Sequence, residues 1–361
     1  MGLKLKFIAG LLVVAGVVTA YFCLKSKPIV VAVIDTGLDL SAVPKEAIAG
    51  PGYNFFDDND DVTDKSGHGT AVTKLVLKFC PSCKVLPIKV TAHGAGIGPD
   101  DLSAALKYAM EKMARVVNVS FGMGSTSSEL EATVKKAADK KIVIVTAAGA
   151  GISNPFKPLP LKKVYPQAYE DVIVVGVSEA DVPNPVGNFG DELDFVLVVS
   201  RSFFKENALL RNYSSSSYTA AITSGIVGRF LKSDGGNGVK EARHWLRAST
   251  RPLNIFSERL GYGYLDIEAI DSFSVTGAVC RLYKTPKNKV RVAVSAVKDI
   301  EWVEASAECK RKESSDKSIR SKETLKKGRG YALMVLPRNE ACRVKVVIKY
   351  NDNQEEVSFC D

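Results

Sequence analysis

Short aliphatic runs alternate with amphipathic stretches between Pro28 and Asp271. Five of these runs predict strands that are buried on both faces: IVVAVID, KVLPIKV, RVVNVSFG, KIVIVTAAG and DVIVVGVS. The intervening stretches DDLSAALKYAMEKMA and SSELEATVKKAADKK predict helices. In the first, Leu102, Leu106 and Met110 recur every four residues and form one apolar face. Strands that alternate with helices predict an α/β fold with a doubly wound, mostly parallel sheet.

The pattern changes near Ser272, and from there to Asp361 no long amphipathic helix is evident. Alternating runs such as KVRVAVSAV and CRVKVVIKY, with the turn YNDNQEE, predict antiparallel strands. We therefore predict three parts: an N-terminal segment over 1–27, an α/β domain over 28–271, and a small C-terminal all-β, sandwich-like domain over 272–361.

The N-terminal segment contains an uncharged apolar run, Phe7 to Leu24, which follows Lys4 and Lys6. This pattern is typical of a secretory signal or of an uncleaved membrane anchor. As a helix the run would be about 27 Å long at about 1.5 Å per residue, close to the ~30 Å thickness of a hydrocarbon core. Under either interpretation the body of the protein is predicted to be exported. It would be periplasmic, extracellular or anchored to the membrane by this segment.

The cysteines fit an exported protein. The chain has seven, and one of them, Cys23, lies in the apolar run. The other six are disulfide candidates: Cys80, Cys83, Cys280, Cys309, Cys342 and Cys360. An even number in an exported chain predicts disulfides. The Cys80-Pro-Ser-Cys83 spacing also suits a redox pair or half a zinc site. No second CxxC and no nearby histidine supports zinc, and no thioredoxin-like context supports a redox pair, so we expect Cys80 to pair with Cys83. We expect the last four to pair among themselves, in one of three connectivities.

The net charge is +9. Much of the excess lies in Lys310 to Arg329, which carries nine basic and three acidic residues. Nucleic-acid surfaces interleave aromatic residues with such charges, and this run has none. We interpret it as a solvated loop attracted to an anionic envelope partner, and no nucleic acid is expected. No metal or cofactor is predicted, and the sequence does not support a structural calcium ion.

Candidate chemistry lies where predicted strands end. Asp35 closes the first strand, where a buried carboxylate is costly unless it is hydrogen-bonded. The alternative is an aspartate that caps a turn. His68 lies between two glycines ahead of an apolar helical run, so its imidazole could project into a cleft. Of the other two histidines, His93 lies in a glycine-rich loop, and His244 stands beside Trp245 in a predicted helix, where packing is favoured over catalysis.

The stretch YSSSSYTAA precedes another apolar helical run. Alone it predicts a polar turn and a helix N-cap. A catalytic serine needs a base to take its proton and an acid to hold that base. Asp35, His68 and a serine near position 217 supply these residue types.

Five segments in order resemble the motifs of the subtilisin-like serine proteases (subtilases): VAVIDTGLD, SGHGTAV, NVSFG, VTAAGA and SSSSYTAAITSGIVG. The resemblance covers about Pro28 to Asp271. The family's nucleophile motif has a glycine eight residues after the serine, and eight residues before Gly225 is Ser217. The resemblance thus implies a serine endopeptidase that works through an acyl-enzyme. In it Asp35 orients His68, His68 transfers the proton and Ser217 attacks.

The resemblance also implies a groove that binds a protein or peptide substrate as an extended strand. The two edges of the groove and the pocket for the side chain before the scissile bond are assigned to Gly94, Ala95, Gly96, Ser120, Phe121, Gly122, Ala148, Gly149 and Ala150.

The chain departs from the family pattern at two places. The family's oxyanion-hole asparagine is replaced by Ala150, and Ser216 and Asn154 are the candidates for a substitute donor. No pro-domain is expected between the apolar run and the first strand. We therefore expect a slow or selective protease. The alternatives are a weak or inactive subtilase-fold scaffold that binds peptides at the cell envelope, and a protein whose C-terminal domain docks it to an envelope partner.

Overall fold

The computed structural model describes fourteen ranges of the chain, with gaps between them. They are residues 28–93, 96–149, 158–179, 184–199, 215–233, 238–251, 260–265, 279–284, 289–295, 300–309, 318–323, 336–337, 342–350 and 355–360. Within these ranges the chain forms seventeen strands and five α-helices.

The strands up to residue 265 belong to one sheet. They are β1 (Val30–Asp35), β2 (Tyr53–Asn54), β3 (Lys84–Lys89), β4 (Val116–Val119), β5 (Val143–Ala147), β6 (Val172–Glu179), β7 (Asn184–Val186), β8 (Phe195–Val199), β9 (Thr250–Arg251) and β10 (Tyr264–Leu265). The helices are α1 (His68–Phe79), α2 (Pro99–Glu111), α3 (Ser128–Asp139), α4 (Ser215–Ser233) and α5 (Val239–Ala248).

The strand order in the sheet is β2-β3-β1-β4-β5-β6-β8-β10-β9. All pairs from β2 to β10 along this order are parallel. The exceptions are β9, antiparallel to β10, and β7, antiparallel to β6. After β1 the chain first builds outward through β3 on one side and then through β4 on the other. This confirms the predicted doubly wound, mostly parallel α/β fold.

Successive residues of the central strands pack on opposite faces of the sheet. Val31 and Val33 of β1 face a core shared with α1, α4 and α5. Ala32 and Ile34 face a second core, shared with α2 and α3. Because helices cover both faces of the sheet, the side chains on both faces of each central strand are buried. This explains why these strands are continuous aliphatic runs and do not alternate between apolar and polar residues. The five predicted strands and the two helices predicted between them are all present. Helices α1, α4 and α5 match the helical runs predicted after His68, after YSSSSYTAA and around His244.

Strand β8 was not singled out from the sequence, although its run FVLVV is as aliphatic as the others. It lies between β6 and β10. Asp194, directly before it, is buried and holds two arginines of α5. Its Oδ1 accepts from Arg247 Nε at 2.9 Å and lies 3.1 Å from Arg243 Nε, while its Oδ2 accepts from the backbone N–H of Val174 at 2.9 Å. One carboxylate therefore joins β6, β8 and α5 below the surface.

Helices α1 and α4 pack with glycine at their closest contacts. A methyl group on Gly225 would lie 2.6 Å from the carbonyl oxygen of Val76, and one on Gly228 would lie 2.7 Å from Cys83 Sγ. Cys83 is joined to Cys80 by a disulfide, and both cysteines are buried against α4. The glycine eight residues after Ser217 is thus required by helix packing and not by a turn.

The C-terminal strands form two antiparallel sheets. One contains β11 (Val279–Lys284), β12 (Lys289–Ser295) and β15 (Leu336–Pro337). The other contains β13 (Ile300–Cys309), β14 (Ser318–Glu323), β16 (Cys342–Tyr350) and β17 (Glu355–Cys360). The sandwich-like domain and its boundary at Ser272 stay predictions, because residues 266–278 and most connections between these strands lie outside the described residues.

In the described ranges no helix is both long and apolar enough to cross a bilayer. The predicted signal or anchor over 1–27 lies outside these ranges, as do residues 310–317 and 324–329 of the predicted basic loop. The loop prediction is wrong for the middle of that stretch, because Ser318–Glu323 form β14 and pair with β13. No group of three or more potential metal-ligating side chains occurs in the described part of the chain.

The register of the C-terminal strands selects among the three disulfide connectivities. Cys309 of β13 is directly opposite Cys342 of β16, whereas Cys360 of β17 is opposite Val344. Directly opposed residues have Cβ atoms about 4.5–5.5 Å apart, near the span of a disulfide, and diagonal neighbours are farther apart. We predict that Cys309 pairs with Cys342, which leaves Cys280 to pair with Cys360. Peptide mapping of unreduced protein should recover these two cross-linked pairs, and a Cys342–Cys360 peptide would show the register argument to be wrong.

Candidate active site

The candidate site lies at the carboxyl ends of β1 and β4, where the strand order reverses. In open α/β sheets this switch point leaves a crevice for ligands. Asp35 is the last residue of β1, and Ser120 follows β4 directly. Helices α1 and α4 begin at the same end of the sheet and bring His68 and Ser217 to it.

Asp35 and His68 form a close, shielded pair. His68 Nδ1 lies 2.6 Å from Asp35 Oδ1, and the same oxygen accepts from the backbone N–H of Thr36 at 2.8 Å. The side chain of Asp35 is 3% exposed and that of His68 is 14% exposed. The same carboxylate oxygen therefore contacts both the imidazole and a backbone N–H, and Nδ1 is the ring nitrogen that faces Asp35.

Glycines on both sides of His68 make this contact possible. Gly67 caps α1 with a left-handed backbone, at a φ of 82°. A methyl group on Gly69 would lie 2.2 Å from the carbonyl oxygen of Gly37, so the start of α1 meets the loop after β1 with no side chain between them. The backbone N–H of Gly69 donates to Thr36 Oγ1 at 2.9 Å.

Asp64 stabilises the contact between the loop after β1 and the start of α1. This residue was not identified from the sequence. Its Oδ1 accepts from Thr36 Oγ1 at 2.9 Å and from the backbone N–H groups of Ser66 and Gly67. Its Oδ2 accepts from both the backbone N–H and the hydroxyl of Thr70, at 2.8 and 2.7 Å. The carboxylate thus links the loop after β1 to the first turn of α1. Its position four residues before His68 in DKSGHGT was a usable signal.

Ser217 lies in the first turn of α4 and is 4% exposed. Its hydroxyl donates to the carbonyl oxygen of Ser120 at 3.1 Å, and the Ser120 hydroxyl donates to the carbonyl oxygen of Ser217 at 3.4 Å. The ring of the next residue, Tyr218, lies 6.2 Å from the His68 ring, centroid to centroid. The three predicted residues therefore occupy one site, and Ser217 Oγ is turned toward the strand segment that follows β4.

A buried polar chain leads from that segment back into α4. The Ser120 hydroxyl accepts from Asn118 Nδ2 at 2.8 Å, and Asn118 Oδ1 accepts from the Ser224 hydroxyl at 3.0 Å. Asn118 and Ser224 are fully buried. The chain fixes the height of α4 relative to β4 and hence the position of Ser217.

The electrostatics favour a protonated imidazole. Burial acts to lower the pKa of His68, but the charge of Asp35, its hydrogen bond and the charge of Asp64 together raise that pKa above its ordinary value. A base with a raised pKa holds an acquired proton more firmly, which suits a group that must take a proton and return it.

The other predicted residues are placed in part. Gly96, Phe121, Gly122, Ala148 and Gly149 are described, and Gly96 and Gly149 have left-handed backbones. The other predicted residues, Gly94, Ala95, Ala150 and Asn154, lie outside the described residues. Of the oxyanion candidates only Ser216 is placed, buried in the first turn of α4.

The segment after β5 is held by Asn188, another residue that the sequence analysis missed. Asn188 Nδ2 donates to the carbonyl oxygen of Ala148 at 2.8 Å, and its backbone N–H donates to the carbonyl oxygen of Gly149 at 2.9 Å. His244, by contrast, is buried in α5, far along the chain from these segments, in agreement with a packing role.

Residues 26–263 match the model of the Subtilase family. The chain is 30% identical over 178 residues to the thermophilic serine proteinase of Bacillus sp. (strain AK1), a match that covers 46% of this chain and 42% of that protein. It is 29% identical over 272 residues to the major intracellular serine protease of Bacillus subtilis (strain 168), covering 69% of this chain and 84% of that protein. The structure of a lanthipeptide protease superposes with a TM-score of 0.56 at 19% identity, over 69% of this chain and 88% of that one.

The raised pKa of His68 gives a test that needs no substrate. In an NMR titration we expect the His68 midpoint to lie above about 6.5, the value for an unperturbed histidine. The stability that this interaction contributes should be fully present below that pH and lost as pH rises through the raised pKa. Asp35→Asn removes the main charge and leaves burial, so the midpoint should fall below its wild-type position. An unchanged midpoint in Asp35→Asn would contradict this account, and the His93 resonance serves as internal control.

Proposed function

The chain belongs to the subtilase family of serine-type endopeptidases, and we propose that it hydrolyses peptide bonds with Asp35, His68 and Ser217 as its catalytic residues. The observation that carries this proposal is the buried Asp35–His68 contact of 2.6 Å, with the His68 ring 6.2 Å from the ring of Tyr218, the residue after Ser217. It supplies an oriented base, the acid that holds it, and a nucleophile in one crevice.

The proposed reaction has two halves. Ser217 Oγ attacks the carbonyl carbon of the scissile bond as its proton passes to His68 Nε2, and His68 then gives that proton to the leaving amine. A water molecule next attacks the acyl-enzyme, again with His68 as base, and frees Ser217. Asp35 keeps the ring in the tautomer that has hydrogen on Nδ1 and stabilises the imidazolium that forms in each half. No cofactor takes part.

Before the first half, the Ser217 hydroxyl must leave the carbonyl oxygen of Ser120. That hydrogen bond is made in the resting state at 3.1 Å. In the proposed mechanism, rotation about the Cα–Cβ bond of Ser217 turns the hydroxyl from this carbonyl oxygen toward His68. Because Ser217 lies in the first turn of α4, the helix dipole favours the negative charge that then develops nearby.

The substrate is proposed to be a protein or peptide that adds a strand beside 120–122. This segment follows β4 at the site, so its main-chain groups are placed to pair with an extended chain. On the other side Ala148 and Gly149 follow β5. The gap between the two segments is the proposed pocket for the side chain before the scissile bond.

A weak or inactive peptide-binding scaffold is the second candidate. The observation that favours it is the replacement of the family's oxyanion-hole asparagine by Ala150. Ser216, buried in the first turn of α4 next to Ser217, is the described candidate for a compensating hydroxyl. We propose a slow, selective enzyme in preference to a scaffold, since Asp35, His68 and Ser217 are all present.

We further propose that the protein acts outside the cytoplasm. The uncharged run from Phe7 to Leu24 and the Cys80–Cys83 disulfide support export, since disulfides persist in oxidising compartments. The basic run near Lys310 would then face anionic components of the envelope. A reporter fusion that reads out oxidising conditions at the C-terminus tests this placement.

Ser217→Ala should abolish labelling by a fluorophosphonate probe, because the probe reacts only with an activated serine hydroxyl. Ser214→Ala is the matched control within the same serine run and should label like the wild type. Gel fluorescence of both purified variants makes the comparison. Normal labelling of Ser217→Ala would mean that another serine is the nucleophile.

Ala150→Asn should raise turnover of a generic peptide substrate. Loss of one oxyanion donor typically lowers turnover by roughly 10²–10³, and we expect the restored amide to recover at least about tenfold of it. Ala150→Gln, whose amide is one methylene farther out, is the control for added polarity. If the wild type and Ala150→Asn are both folded but show neither turnover nor labelling by the fluorophosphonate probe, the peptide-binding scaffold is the correct alternative.

A further inference from the structure

The crevice between the two proposed pocket walls is closed from below by one side chain, that of Gln167. β4 and β5 pair as far as Val119 and Thr146, and beyond this pair their chains separate. Gln167 Nε2 bridges the separated ends. It donates to the carbonyl oxygen of Phe121 at 2.9 Å and to that of Ala147 at 2.7 Å.

The amide of Gln167 connects the two strand ends through side-chain hydrogen bonds, in place of a main-chain hydrogen bond between them. Its nitrogen also lies 3.1 Å from Thr146 Oγ1, and the whole residue is 0% exposed. The three contacts of this nitrogen place the amide across the gap between the two segments.

Gly122 shows how tightly the amide fills the space beside the wall. A methyl group on Gly122 would lie 3.0 Å from Gln167 Nε2 and 3.2 Å from Gln167 Oε1, with Val164 Cγ1 at 2.7 Å. Both polar atoms of the amide thus lie against the face of Gly122 from which a side chain would extend.

The amide is not an optimal filler for stability alone. Gln167 Oε1 is buried and has no hydrogen-bond partner in the described part of the chain. A buried acceptor left unpaired is unfavourable, and natural structures retain few of them. An apolar residue of the same length would fill the space without this cost, but it would leave the carbonyl groups of Phe121 and Ala147 without their donor.

We infer that Gln167 determines substrate specificity by plugging the pocket for the residue that precedes the scissile bond. The pocket accepts glycine, alanine or serine there and rejects large apolar and aromatic side chains. This inference rests on the proposed function only for the identity of the walls. The closure of the gap follows from the contacts of Gln167 itself.

The test is a panel of fluorogenic peptide amides that differ only in the residue before the cleaved bond: alanine, leucine or phenylalanine. We expect wild-type kcat/KM to favour alanine over phenylalanine at least tenfold. In Gln167→Ala that ratio should fall by at least about tenfold, the lower limit for a single methylene in a pocket, because the substitution removes a methylene and the carboxamide. Gln167→Met keeps the volume but not the amide, so it should retain the wild-type preference.

The same peptides in uncleavable form, titrated against Ser217→Ala and Ser217→Ala/Gln167→Ala by fluorescence anisotropy, give a reading without turnover. A shift of binding toward the phenylalanine peptide in the double variant supports the inference that Gln167 fills the pocket. This result would hold even if the wild type is not labelled by the fluorophosphonate probe and cleaves no peptide. The inference is overturned if the wild type prefers phenylalanine, or if folded Gln167→Ala keeps the wild-type ratio. The first of these outcomes applies even if Gln167→Ala does not fold.

Discussion

The site depends on one close approach of two backbones. Gly37, after β1, and Gly69, in the first turn of α1, meet so closely that a methyl group on Gly69 would lie 2.2 Å from the Gly37 carbonyl oxygen. Thr36 and Asp64 hold this approach through the hydrogen bonds that converge on the Asp64 carboxylate. The short Asp35–His68 contact is a consequence, because the two side chains are carried by the backbones that meet there.

The remainder of the structure positions α4 against this contact between the loop after β1 and the start of α1. Gly225 and Gly228 let α4 lie directly on α1 and on the buried Cys80–Cys83 disulfide. The polar chain through Asn118 sets its height on β4. Farther along the sheet, the buried carboxylate of Asp194 holds α5 in place. Removing one partner of such a buried ion pair typically costs about 3–5 kcal/mol, since the other charges stay buried.

The sequence predicted the parts whose signal is local. Five strands and two helices follow from apolar runs and spacing, and Asp35, His68 and Ser217 follow from ordered motifs. Asp64, Asn188 and Gln167 were missed because their partners are brought near by the fold: Gln167 lies 46 residues from Phe121 in the chain. The direction of the Ser217 hydroxyl was also beyond sequence reasoning, since its acceptor Ser120 is 97 residues away. Contacts between residues so far apart in the sequence produce no periodic pattern of hydrophobic and polar positions.

The glycine contacts have a consequence for how this protein can vary. Every single-base change in the first two positions of a glycine codon that does not end translation inserts a residue with a Cβ atom. At Gly37, Gly69 and Gly225 that atom would lie within 2.6 Å of a main-chain oxygen. No amino acid one base change away from glycine lacks a Cβ atom, so no such substitution at these three positions preserves the close contacts. The residues that carry no side chain therefore limit how this chain can vary as strictly as the polar residues of the site do.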